Sequence, residues 1–130
     1  MQALDRYRID ATESDEGRWF AHPDGGEWRI ARLGTAKMLD LRLEWIRSAG
    51  LQPDDHLSQA QSEACSAHLF AHGVVRGYRD QADPEATYLP AMGVAIYQEQ
   101  ELRELKAWIL GQANTSFQKR AKIKATIMGN

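Results

Sequence analysis

The stretch R-W-F-A-H-P-D-G-G-E-W-R-I-A-R-L-G, residues 18–34, holds two of the chain's four tryptophans and its clearest turn signal. Pro23-Asp24-Gly25-Gly26 is turn chemistry: proline presets φ at an early turn position, aspartate bonds its own backbone, and glycine accepts positive φ. On the near side stand Trp19, Phe20 and Ala21. On the far side Trp28, Ile30 and Arg32 alternate with Arg29, Ala31 and Leu33. Period-two alternation beside a turn predicts a β-hairpin over residues 18–34. A lone hairpin is marginal in water, so one face has to lie on apolar surface. The downstream chain, which reads as helix, is the candidate.

Downstream, Thr35 is placed to cap a helix over residues 36–49, with Gly50 as its stop. On a helical wheel its apolar residues, among them Leu39, Leu43, Trp45 and Ile46, cover more than half the circumference. That is wider than a surface helix needs. One reading is a central helix covered on two sides, the default in a small domain. The other is a helix that shows part of its apolar surface to a partner chain. Pro53 and Asp54-Asp55 mark a second helix over residues 55–75, with Leu57, Ala60, Ala64, Ala67, Ala71, Val74 and Val75 on one arc. Its alanines allow a neighbouring helix to approach closely, and Gly73 and Gly77 weaken its end.

Residues 77–87, with Pro84, read as a polar surface loop. Pro90 opens a short helix to residue 97. A longer one covers 100–113, with Leu102, Leu105, Ile109 and Ala113 as its stripe and Trp108 at the edge. Asn114-Thr115-Ser116 caps a last helix over 116–126. Residues 1–17 are polar and read as a flexible arm. The expected architecture is a single domain, residues 1–130, mainly α: about five helices over 35–130 with an N-terminal β-hairpin.

Composition bounds the function. Hydrophobic residues make up 43% and charged residues 26%, enough to bury a core. The net charge of −2 gives no bulk attraction to nucleic acid or anionic membrane. The single cysteine, Cys65, leaves no partner for an intramolecular disulfide. The longest nearly apolar run, residues 89–97, is too short to span a bilayer, and M-Q-A-L-D-R-Y-R-I-D at the start lacks a signal-peptide pattern.

Catalytic chemistry finds little support. Cys65, His68 and His72 lie on one side of a helix, but a zinc site wants converging ligands, usually four. His22 or His56 would have to complete the set. The ordinary reading is two boundary histidines and a small buried thiol. Cys65 lies mid-helix, not at an electropositive helix start, and no G-x-S-x-G elbow is present. Asp54-Asp55 and Glu99/Glu101 sit at helix starts, where acids complement the dipole. Gly25-Gly26 is a turn, not a phosphate loop. Lys119, Arg120, Lys122 and Lys124 could bind phosphate backbones, but read more simply as a solvated face near a helix C-terminus. No catalytic residue, cofactor or metal is expected.

Three blocks carry a resemblance. The first is W-F-A-H-P-D-G-G-E-W-R-I-A-R-L-G at 19–34, followed at once by a helix. The second is A-H-L-F-A-H-G-V-V-R-G-Y at 67–78, before a polar loop. The third is Y-L-P at 88–90, then E-L-R-E-L-K-A-W-I-L-G-Q-A-N-T-S-F at 101–117. In this order the chain resembles the tail assembly chaperones of long-tailed bacteriophages, the small proteins encoded just before the tape measure protein. The resemblance covers most of residues 18–117 and rests on residues that pattern a fold rather than a reaction. It implies a non-enzymatic role: binding the long helical tape measure protein and keeping it soluble, and helping to recruit tail tube protein. It further implies a protein of the host cell cytoplasm that is not in the mature virion, and in many relatives a longer form made by ribosomal frameshift. A chaperone for an amphipathic helix needs an apolar groove between helices. Leu39, Leu43, Trp45 and Ile46 on one helix, and Leu102, Leu105, Trp108 and Ile109 on another, are the expected partner-binding residues. Such faces also favour a homo-oligomer. The alternatives are a structural tail or head-tail connector protein retained in the virion, and a small nucleic-acid-binding regulator.

Overall fold

A computed structural model describes residues 11–115. The turn at Pro23-Gly26 closes as its residues require: Gly25 and Gly26 take φ of +111° and +77°, and the His22 N–H donates to the Gly26 carbonyl at 3.0 Å. Two strands flank it, β1 (Arg18–Ala21) and β2 (Glu27–Ile30), antiparallel with Phe20 opposite Trp28 and Arg18 opposite Ile30.

The hairpin does not stand alone, and this corrects the mainly α expectation. A third strand, β3 (Val75–Arg79), pairs antiparallel with β2, giving a sheet in the order β1-β2-β3. With five α-helices among the described residues, the fold is α+β. Tyr78 lies opposite Trp28, Gly77 opposite Arg29 and Val75 opposite Ile30, so Arg76 is the extra residue of a β-bulge. The Ala31 N–H donates to the Val74 carbonyl at 2.8 Å and carries the pairing past the strand end. Without β3 the backbone of β2 would present an open edge; pairing satisfies it. Trp19 crosses the outer face of the sheet above Gly77, with the Arg79 guanidinium 4.0 Å from its ring centroid. Arg79 also reaches Glu27 at 2.8 Å.

Around the sheet lie α1 (Ala11–Glu16), α2 (Ala36–Ser48), α3 (Gln59–Leu69), α4 (Pro90–Gln98) and α5 (Arg103–Thr115). Residues 11–16, inside the stretch expected to be a flexible arm, are thus helical, and the Arg32 N–H donates to the Ser14 carbonyl at 2.9 Å. The expected helix over 55–75 is shorter. It begins at a capping box, Ser58 with Gln61, and at Phe70 it widens into a π-helical turn (Phe70–Val74) that leads into β3. Ala60 and Ala64, expected on its inner arc, are exposed; Ala67, Ala71, Val74 and Val75 are buried. A 3-10 turn (Gln100–Leu102) precedes α5. The expected helix over 116–126, with its basic run, lies outside the described residues, as does the first part of the arm.

The inner face of the sheet supplies Trp28 and Ile30 to the core. Phe70 and Val74 of the π-turn, Val75 of β3, Ile96 of α4, and Ile109 and Ala113 of α5 complete it. Helix α4 lies on the π-turn at Gly93, and the Tyr88 hydroxyl donates to the Ala71 carbonyl beside it. That burial pushes the Tyr88 phenol up to about 12. No helix among the described residues is long and apolar enough to cross a membrane.

Candidate partner-binding surface

The residues expected to meet a partner divide in two. Ile46 is 2% exposed and Ile109 is fully buried, so neither side chain is part of an open face. Leu39 on α2 is 56% exposed, one of two large hydrophobic residues left in water among the described residues. Leu43 follows it one turn along, half-buried, and Trp45 is half-buried as well. On α5 and the turn before it, Leu102, Leu105 and Trp108 are partly buried against the core. The two sets do not face each other across one groove. Helix α2 packs on α3 and the π-turn, while α5 packs on α4 and β2.

Between α2 and α5 lies a cleft of about 210 Å³. Leu33, Met38, Leu69, Phe70, Val74 and Leu110 line most of it, with Ser66 and Tyr97. Phe70 and Val74 are buried; Leu33, Met38, Leu69 and Leu110 are half-buried and form its exposed walls. None of the eight residues expected to meet a partner lines this cleft. Met38 lies on the wide apolar arc of residues 36–49, whereas Leu110 is outside the stripe expected for residues 100–113. What the spacing lacked was the π-turn, which swings Phe70 and Val74 beneath both helices.

A second cleft, of about 370 Å³, opens where the hairpin turn meets the start of α5. Trp28, Leu102 and Leu105 form its apolar surface; Asp24, Glu101 and Glu104 stand around it, with His22. His22 Nδ1 accepts from the Asp24 N–H at 3.0 Å, and its ring meets Trp108 edge to face at 4.7 Å. These contacts fasten the turn against α5.

The Cys65, His68 and His72 trio is assembled only in part. Cys65 is fully buried, and burial pushes its thiol up, against the pull of Arg42. A protonated, inaccessible thiol is a poor nucleophile. His68 and His72 stack with ring centroids 4.3 Å apart. Burial, and after it His72, hold the His68 imidazole below its ordinary value, against Glu44. Among the described residues no group of three or more His, Cys, Asp or Glu side chains is placed to hold a metal ion. No protein-family model, curated protein or solved structure matches the chain.

Proposed function

We propose that the protein is a non-enzymatic binding protein for a helical polypeptide, acting as a phage tail assembly chaperone. Its client is the tape measure protein, held soluble in the host cytoplasm while tail tube protein is recruited. The observation that supports this most is the apolar cleft between α2 and α5; the exposed Leu39 follows Met38 of its lining in sequence. A cleft of this size accepts one or two bulky apolar side chains, the way a groove takes the anchors of an amphipathic helix. Burying an exposed leucine such as Leu39 against a client contributes about 1.5–3 kcal/mol, enough to reward docking. The same surface makes self-association into a homo-oligomer the expected resting state when no client is present.

Co-expression with the tape measure protein is the test. The client is expected in the soluble fraction with this protein and in the pellet without it. A Leu110→Asp variant, which places a charge in the cleft wall, is expected to lose most of that effect. A client equally insoluble in both cases rejects the reading.

A further inference from the structure

We propose that the cleft between the hairpin turn and the start of α5 receives a basic amphipathic helix of the partner. Lysine or arginine side chains lie along the rim, and an apolar side chain sits on Trp28, Leu102 and Leu105. The inference rests on the reading that the protein binds a polypeptide client, and adds a face that shares no lining residue with the cleft between α2 and α5.

Charge complementarity carries the choice of occupant. Asp24, Glu101 and Glu104 line the cleft, and among the described residues no lysine or arginine lines it with them. Glu101 and Glu104 sit at the start of a helix, where the dipole favours acids. Asp24, a turn residue of the hairpin, reaches the same cleft from the opposite side. Carboxylates therefore stand on both sides of the cleft, and a cationic side chain lying along it has an opposite charge on either hand. His22 and Trp108 hold the two sides in register, so the rim is preformed. Lysine suits both parts of the cleft: its methylene stem lies along leucine while its ammonium stays at the wet rim. An acidic helix meets repulsion there, and an apolar one leaves the carboxylates without a counter-charge. Electrostatics of this kind selects partners and speeds their encounter.

The test uses the full chain and its tryptophan fluorescence. Three synthetic helical peptides share one leucine pattern and carry lysine, glutamine or glutamate at the flanking positions. The lysine peptide is expected to bind about tenfold tighter than the glutamine peptide, and the gap to close in about 0.5 M salt. The double variant Glu101→Lys/Glu104→Lys, both exposed, is expected to melt slightly below the wild type, since a helix start favours acids, and should reverse the order; Asp40→Lys on α2 should leave it unchanged. Equal binding of all three peptides, or an order unaltered by the charge reversal, overturns the proposal. So does tighter binding of a peptide of residues 116–130, whose Lys119, Arg120, Lys122 and Lys124 would make this chain its own occupant. In co-expression, a client kept soluble equally by wild type and by the double variant removes this inference and leaves the chaperone reading standing. A client that the wild type fails to keep soluble rejects the chaperone reading, while the peptides still decide the cleft.

Discussion

Helix α2 is closed at both ends by its own neighbours in sequence, whereas residues 59–79 change conformation twice under the influence of residues far away. At the start of α2, Thr35 Oγ1 accepts from the Met38 N–H at 3.3 Å, a cap worth about 1 kcal/mol. At its end Gly50 takes φ of +77°, with Gly50 N–H donating to Arg47 and Leu51 N–H to Ile46, the Schellman pattern. Residues 59–69 start in the same local way, at the Ser58 capping box. After Leu69 nothing local stops the helix. The π-turn is held by Met38 and Leu41 from α2 against Gly73, and by α4 against Ala71. The strand that follows is held by β2. The difference teaches that local chemistry sets where a helix starts, while here the unfilled edge of a sheet sets where one stops.

Gly93→Ala is the strongest way to break this joint. A Cβ at Gly93 would stand 2.7 Å from the Ala71 Cα and 2.8 Å from its Cβ, and would strike the Tyr88 hydroxyl. Backbone cannot swing aside as a side-chain tip can, so α4 must lift from the π-turn. The expected loss is about 3 kcal/mol, read by urea denaturation. If the joint is held mainly by β2 pairing, the loss stays below about 1 kcal/mol and the account of α4 as its clamp fails.

Gly73→Ala probes the contact between the two regions directly, with a smaller effect. Its Cβ would run into the Met38 sulfur and stand 3.0 Å from Leu41 Cδ1, and both are ends of flexible side chains. The expected loss is about 1–2 kcal/mol. Met38→Ala should make room, so the double variant is expected to be more stable than the sum of the single losses predicts by about 1 kcal/mol. Strict additivity would mean that the two residues do not share the space.

The same division explains what was legible in the sequence. The hairpin turn, the Thr35 cap, the Gly50 stop and the Pro90 start each rest on a few adjacent residues, and each is where the residues put it; the alternation did not say which face of β2 turns inward, and it is that of Trp28 and Ile30. Strand β3 was missed, although V-R-G-Y-R alternates and carries valine and tyrosine. The helical spacing of Ala67, Ala71, Val74 and Val75 ran into it and masked it, because a π-turn keeps the apolar side inward while the backbone changes form. Ser58-x-x-Gln61 was a readable start that the proline and aspartates upstream obscured. Leu39 and Leu105 were identifiable from periodicity as apolar positions of their helices. Their separation onto different faces was not, since it depends on which elements α2 and α5 choose as neighbours. Ile46 and Ile109 show the limit plainly: a wheel marks both as apolar and cannot tell a stripe that is covered from one that is open.

The smallest expected effect concerns pH, and it reports from the α2–α3 seam. His68 on α3 faces Glu44 from α2 and stacks on His72. Burial and then His72 lower its folded-state value from the ordinary 6.5; Glu44 offsets part of this. A base with a depressed folded value takes up its proton in the unfolded chain first. Its contribution is therefore fully present above pH 6.5 and is lost as pH falls through the folded value. Stability by urea denaturation should decline on acidification below that point, by less than either glycine substitution removes. His68→Gln should flatten this part of the profile and leave the neutral-pH value nearly unchanged. Glu44→Gln should steepen it, because the carboxylate is the one neighbour that favours the charged ring. If Glu44→Gln leaves the slope as it was, the seam is looser than the stacked pair implies, and α2 is free to move against α3 when a partner docks.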